Sequence, residues 1–281
     1  MSEATINVRD YAEPCRDSSG EDIWLLSLEV ERNLVQQTDL DAREVEVLAL
    51  KQGVLPRRYE RNLGTVGWEG QLRLLQSTVG IVGAGGLGGW VIEGLARMGV
   101  GKLIVIDRDA FGENNLNRQL LATERDLGRA KVEVAVERVG QVNSAVRVTS
   151  HCLSVNEEDM VALLAGSDVI VDALDSLPAR FALQRAALRL KVPLVHGAIA
   201  GYAGQVMTIF PGDRGLGALY GDRVPEQGME TEWGNPAATP MMTAAWQIHE
   251  VVKLLVKRGD LLRHRMLFMD AEAGTIDVLR I

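Results

Sequence analysis

The chain has 281 residues, 47% of them hydrophobic, which is apolar material enough for one large α/β domain or one domain with an appendage. A net charge of -8 argues against broad non-specific attachment to nucleic acid, while leaving room for a local basic pocket, and 5% aromatic residues argue against a base-stacking platform. The 2 cysteines, Cys15 and Cys152, are too few for a disulfide framework or a cysteine-built zinc site.

In chain order, the first ten residues lack the layout of a signal peptide, and residues before about 20 read as a polar, poorly ordered tail. Residues 23–37 read as a helix or a mixed strand and helix. Residues 38–53 read as a helix capped by Asp39 or Asp41 and ended by Gly53 and Pro56. Together residues 1–57 form an expected small helical appendage, a packing or dimerisation element. Residues 58–281 form the main unit, divided into a nucleotide-binding half (58–196) and a half facing a substrate (197–281).

The main unit alternates. Strands are expected at residues 78–82, 102–106, 147–153, 168–172 and from 193, with helices at 86–98, 131–142, 157–164 and 179–190. Residues 204–210 read as an added strand, 212–240 as a glycine-rich crossover, 241–257 as a helix, and 266–270 with 275–281 as a closing hairpin. The expected fold is therefore α/β and Rossmann-like: a doubly wound, mostly parallel sheet with added antiparallel C-terminal strands. The longest apolar runs, 103–106 and 169–171, suit buried strands and fall far short of the ~20 residues that span a bilayer. A soluble, cytoplasmic protein is expected.

Gly83-Ala84-Gly85-Gly86-Leu87-Gly88 follows the first strand of this unit and opens its first helix. Gly83 permits the tight turn, Gly85 lets a phosphate approach the backbone, Gly86 begins the helix, and Gly88 lets helix and strand pack closely. Amides at the helix N-terminus then face the phosphates. Asp107 ends the next strand, where an acid grips ribose hydroxyls. At this point NAD, FAD and ATP all remain open. The run Asp107-Arg108-Asp109 through Asn114-Asn115-Leu116-Asn117-Arg118-Gln119, then Lys131 and Asp172-Ala173-Leu174-Asp175, gathers amides, cations and acids at strand ends. Two cations and an acid suit a triphosphate with a magnesium ion. Asp109 and Asn117 read equally as turn residues, and Arg180 reads equally as a phosphate ligand or a surface charge.

This ordered set resembles the MoeB/ThiF/HesA family, relatives of ubiquitin-activating enzymes, from about Arg58 to Asp270. Arg58-Tyr59-Glu60-Arg61 is similar to the family's R-Y-x-R entry, and His196-Gly197-Ala198 with Gly204-Gln205-Val206 to the strands after its central helix. The resemblance implies an adenylyltransferase that uses ATP and Mg2+ to activate the C-terminal glycine of a ubiquitin-like sulfur carrier protein with a Gly-Gly tail, serving molybdopterin or thiamine biosynthesis. It implies that Asp107 and Asp109 lie at the nucleotide, that Asn115 and Arg118 contact phosphates, and that Lys131 stabilises the transferring phosphoryl group. Asp175 would hold magnesium, and Arg61 would reach into the neighbouring subunit of a homodimer.

Many relatives carry paired C-x-x-C zinc elements; this chain has none, and no zinc site is expected. Residues 231–236, where some relatives place a reactive cysteine, contain no cysteine either. Cys152 falls in an apolar strand-like run and is expected to be a buried, inert thiol. The chemistry is then expected to stop at the acyl-adenylate, and His196 is expected in the core rather than as a base. Other readings are activation like that of tRNA threonylcarbamoyladenosine dehydratases, to which Gly88-Gly89-Trp90 is similar, an NAD-binding oxidoreductase, and a catalytically idle scaffold.

Overall fold

A computed structural model describes residues 6–16, 20–221 and 233–281. The middle of the glycine-rich crossover, residues 222–232, lies outside the described residues.

The N-terminal unit corrects two expectations. Residues 6–16 are not a loose tail: a 3-10 turn at Val8–Tyr11 leads into β1 (Glu13–Arg16). Nor is the unit only helical. β1 pairs antiparallel with β2 (Asp22–Leu26), and β2 pairs parallel with β3 (Val54–Pro56). The unbroken apolar run Ile23-Trp24-Leu25-Leu26 makes β2 the centre of this sheet, because a central strand with both faces covered needs no polar alternation. Between β2 and β3 lie α1 (Leu28–Gln37), capped by Ser27, and α2 (Ala42–Lys51). Asp41, not Asp39, caps α2, in a reciprocal pair with Glu44.

α3 (Leu63–Gln76) is kinked at Gly67 and delivers the chain to the main sheet. There follow β4 (Thr78–Val82), α4 (Gly86–Met98), β5 (Lys102–Ile106), α5 (Lys131–Val142), β6 (Arg147–His151), α6 (Glu157–Leu163), β7 (Val169–Asp172), α7 (Leu177–Leu190), β8 (Leu194–Ala200), β9 (Ala203–Ile209), α8 (Leu216–Tyr220), α9 (Ala238–Val256), β10 (Arg265–Asp270) and β11 (Thr275–Arg280). The strand order is β11-β10-β9-β8-β7-β4-β5-β6. The five strands from β8 to β6 are parallel, and β9, β10 and β11 extend the sheet antiparallel. After β4 the chain winds outward through β5 and β6, then returns to place β7 on the other side of β4. That reversal opens a crevice beyond the carboxyl ends of β4, β5 and β7. One apolar core lies between the sheet and α3, α4, α5 and α9; a second lies under α6 and α7. Among the described residues no helix is long and apolar enough to cross a membrane.

A buried polar knot joins the N-terminal unit to the main sheet. Arg58 lies 3.0 Å from Glu31 of α1 and 3.1 Å from Glu46 of α2 and also bonds Asn143; Tyr59 donates to Glu46 at 2.8 Å and accepts from Asn143 at 2.9 Å. Burial drives the Glu46 carboxyl from the ordinary 4.5 up to about 8, with Arg58 opposing and Glu31 adding to the rise. Because the folded value lies above the unfolded one, this carboxyl's contribution to stability is complete below about 4.5 and is lost as pH rises through about 8. Denaturant titrations from pH 5 to 9 should show wild-type stability falling across that window, by as much as about 1.4 kcal/mol per pH unit. Glu46→Gln, which imitates the protonated acid, should flatten the fall; equal slopes in the two proteins would rule this out.

Candidate active site

The glycine loop is built as its spacing requires. Gly83 has φ +99° and donates its N–H to Ile106 O at 2.8 Å; a Cβ here would lie 2.4 Å from Ala173 O, so the loop between β4 and α4 passes directly over the end of β7. A Cβ on Gly88 would lie 1.8 Å from Gly83 O, which is the close approach of helix to strand. Asp107 ties the loop to the neighbouring strand: its Oδ2 accepts from Ala84 N–H at 2.7 Å and its Oδ1 from Asp109 N–H at 2.8 Å. Each oxygen keeps a second lone pair for a hydroxyl.

Around this loop the crevice is lined by Gly83, Gly85, Gly86, Asp107, Asp109, Arg118, Lys131, Asp175 and Arg180. Lys131, at the first position of α5, is 6% exposed, with Nζ 3.0 Å from Asp109 Oδ2 and its backbone N–H on Asp109 O at 2.9 Å. Asp109 is thus a turn residue that also orients the lysine. Arg118 donates to Asn114 O at 2.8 Å and to Asn117 Oδ1 at 2.9 Å, which holds its guanidinium at the rim. Asp175 is exposed, on the loop after β7, and Arg180 is buried, clasping Leu174 O from that loop at 2.6 and 3.1 Å.

Three expected residues stand outside the lining. Gly88 serves packing. Asn115 is buried and holds its own turn, its Oδ1 accepting from Gly112 N–H at 3.1 Å and its Nδ2 donating to Asn114 Oδ1 at 3.2 Å. Arg61 is exposed at the end of the Arg57–Asn62 3-10 helix and does not line the crevice of its own chain.

Cys152 is a correction: it is exposed, its Sγ 3.9 Å from Arg108 O. β6 is an edge strand whose residues are themselves exposed or half-buried, and it ends at His151, so nothing covers the thiol just past it. Cys15, placed by sequence in a loose tail, sits half-buried in β1 opposite Ile23. Neither thiol lines the crevice.

Sequence reasoning missed the far wall, Leu153, Ser154, Val155 and Met160, although these residues follow the carboxyl end of β6 and the strand-end rule used for Asp107 reaches them too. It also missed Ile199 and Asn235 as lining residues, whereas Gln119, the last of the polar run, does line the crevice. Beneath the floor, His196 Nδ1 lies 2.7 Å from Asp172 Oδ2, both fully buried. Burial pulls the imidazole below its ordinary range against the pull of Asp172, so a neutral ring donates to Asp172 and accepts from Gln205 at 3.2 Å. This pair supports the β7 end rather than acting as a base.

A glycine loop at the switch point of a doubly wound sheet, with a buried lysine and a rim arginine facing it, defines a Rossmann-type protein that binds phosphorylated nucleotides. The chain belongs to the ThiF family, whose model matches residues 59–281. It is similar to the SAMP-activating enzyme E1 of Haloferax volcanii, 38% identical over 79% of this chain and 84% of that protein. It is also similar to a sulfur carrier protein adenylyltransferase of Thermus thermophilus, 35% identical over 76% and 83%. The adenylyltransferase and sulfurtransferase MOCS3 of Arabidopsis thaliana is 32% identical over 83% of this chain, which spans only 52% of that longer protein. Among solved structures, Escherichia coli MccB superposes with a TM-score of 0.69 over 97% of this chain and 92% of its own, at 19% identity, a likeness of fold.

Proposed function

We propose that this protein is an ATP-dependent adenylyltransferase acting on the C-terminal glycine of a ubiquitin-like sulfur carrier with a Gly-Gly tail. The observation that carries the reading is the convergence of Lys131, Arg118 and Asp175 on the glycine loop within one crevice. The names of two relatives, of which this chain covers 84% and 83%, support the carrier as substrate. In the reaction a carboxylate oxygen of the carrier attacks the α-phosphorus of ATP, the bond to the β-phosphate breaks, and pyrophosphate leaves. Negative charge moves onto the bridging oxygen and the phosphoryl oxygens, where fixed cations stabilise it better than mobile water does. Lys131 serves the transferring phosphoryl group, Arg118 the departing phosphates, and Asp107 the ribose.

Asp175 fits a magnesium ion. It is a solvated carboxylate at the mouth, and among the described residues no group of three or more acidic, histidine or cysteine side chains stands together. Magnesium suits such a site, since it takes one or two carboxylates and completes its shell with phosphate oxygens and water. It would neutralise charge on the polyphosphate. Arg61, exposed and off its own crevice, is assigned to the ATP site of a second copy in a homodimer. The reaction stops at the acyl-adenylate, since neither thiol lines the crevice.

ATP–pyrophosphate exchange with Gly-Gly-tailed carriers tests this reading. Exchange that requires the carrier is expected; its absence with every carrier, together with tight NADH binding, would sink the proposal.

A further inference from the structure

Gln119 does not fit the account given so far. It is 6% exposed, lines the crevice, and its Oε1 has no hydrogen-bond partner among the described residues. A buried acceptor without a donor is costly, so such a group in a crevice calls for a ligand that supplies one. Its backbone is fixed at both ends, Gln119 N–H on Asn115 O and Gln119 O under Ala122 N–H, each at 2.9 Å, so the side chain springs from an anchored main chain. The carboxamide abuts the phosphate loop: a methyl group on Gly85 would lie 3.6 Å from Gln119 Nε2.

A second orphan lines the same crevice. Asn235 Oδ1 is buried and has no partner among the described residues. Its segment is pinned across the site, Asn235 O accepting from Asn117 Nδ2 at 3.2 Å and Gly234 O from Gly201 N–H at 2.8 Å.

Both orphans are acceptors and need N–H or O–H donors. The polyphosphate of ATP, ionised at neutral pH, has none to offer. The donors of its ribose are claimed by Asp107, and its adenine amino group lies beyond the ribose, whereas the Gln119 carboxamide stands against Gly85 of the phosphate loop. An extended peptide entering the crevice brings a backbone N–H at every residue, and a glycine tail brings them with no side chain in the way. Resting on the function proposed above, we infer that Gln119 and Asn235 hold the carrier's tail by its backbone N–H groups, with Gln119 taking the amide next to the terminal carboxylate. The pair reads an unbranched peptide backbone rather than any side chain, and it seats the carboxylate beside the loop that carries the phosphates.

The test uses Gln119→Leu, which keeps the bulk and removes the acceptor, in ATP–pyrophosphate exchange with a Gly-Gly-terminated ubiquitin-like carrier. The KM for the carrier should rise about tenfold, as for a lost buried hydrogen bond of about 1.4 kcal/mol, while carrier-free ATP binding stays within about twofold. A carrier ending in N-methylglycine, which lacks the last N–H, should lose about the same factor against the wild type and nothing further against Gln119→Leu. Asn235→Ala, at a half-buried position, should also raise the carrier KM and keeps the test open if the leucine variant does not fold. Weakened ATP binding with an unchanged carrier KM would overturn the assignment, as would losses that simply add. Wild-type protein that binds ATP but shows no carrier-dependent exchange would overturn the proposed function and this assignment together.

Discussion

Lys131→Ala should lower carrier-dependent ATP–pyrophosphate exchange by about 10²–10³ while leaving the fold intact, the loss typical of removing one preorganised charge-stabilising group. The ammonium is oriented in advance. Its backbone N–H bonds Asp109 O, the Ala110–Ala130 bridge fixes the two segments against each other, and Asp109 Oδ2 holds Nζ at 3.0 Å. It also stands in the first turn of α5, whose dipole favours the same negative charge on a ligand. A cation held this way needs no reorganisation when charge develops, which is why its loss falls on rate. The fold has little to lose, because the Asp109 side chain left behind is half exposed and stays hydrated. The checks are exchange kinetics and thermal unfolding of the same preparations. Wild-type exchange in the variant would remove Lys131 from the reaction, and a collapse of the melting temperature would make it a structural residue.

The sheet was legible because its strands are local signals. Residues 78–82, 102–106 and 169–172 are short apolar, β-branched-rich runs between glycine or polar breaks, and each became a parallel strand. The loop from Gly83 to Gly88 was legible for the same reason: the demands on its backbone lie within six residues. What failed was long-range. β1 has only half-buried Cys15 to offer a core, and it exists because residues 13–16 find a register with residues 22–25. The Asn115 side chain, expected at a phosphate, is by contrast taken up locally, its own turn engaging both ends of the amide. Cys152 was read as buried because the apolar pattern extends past the point where β6 stops pairing. The orphaned acceptor of Gln119 has no sequence signature, since satisfaction of a polar group is a property of everything packed around it.

Arg58 shows the same limit with the larger consequence for stability. In sequence it belonged to the R-Y-x-R entry motif; in the structure it is, among the described residues, the single cation within 4.0 Å of two carboxyls, Glu31 and Glu46, that are 1% and 0% exposed. Above about pH 8, Arg58→Ala should therefore destabilise the protein by about 3–5 kcal/mol, because it strands buried ionised acids whose desolvation the guanidinium now offsets. That is a large share of the ~5–15 kcal/mol that holds a typical domain folded. The sign of the pH effect separates this account from simple loss of packing. Burial raises both carboxyls and Arg58 opposes it, so removing Arg58 raises them further and extends to higher pH the range over which stability is lost. The deficit of the variant should be small at pH 5, where burial keeps Glu46 protonated in the folded state, and should widen above about pH 8, where Glu46 ionises beside Arg58 in the wild type but not in the variant. Glu46→Gln in the Arg58→Ala background should recover part of the loss at pH 9 and little at pH 5. Denaturant unfolding of the four proteins at both pH values decides the matter: a deficit independent of pH would mean that Arg58 contributes through its aliphatic stem and not its charge.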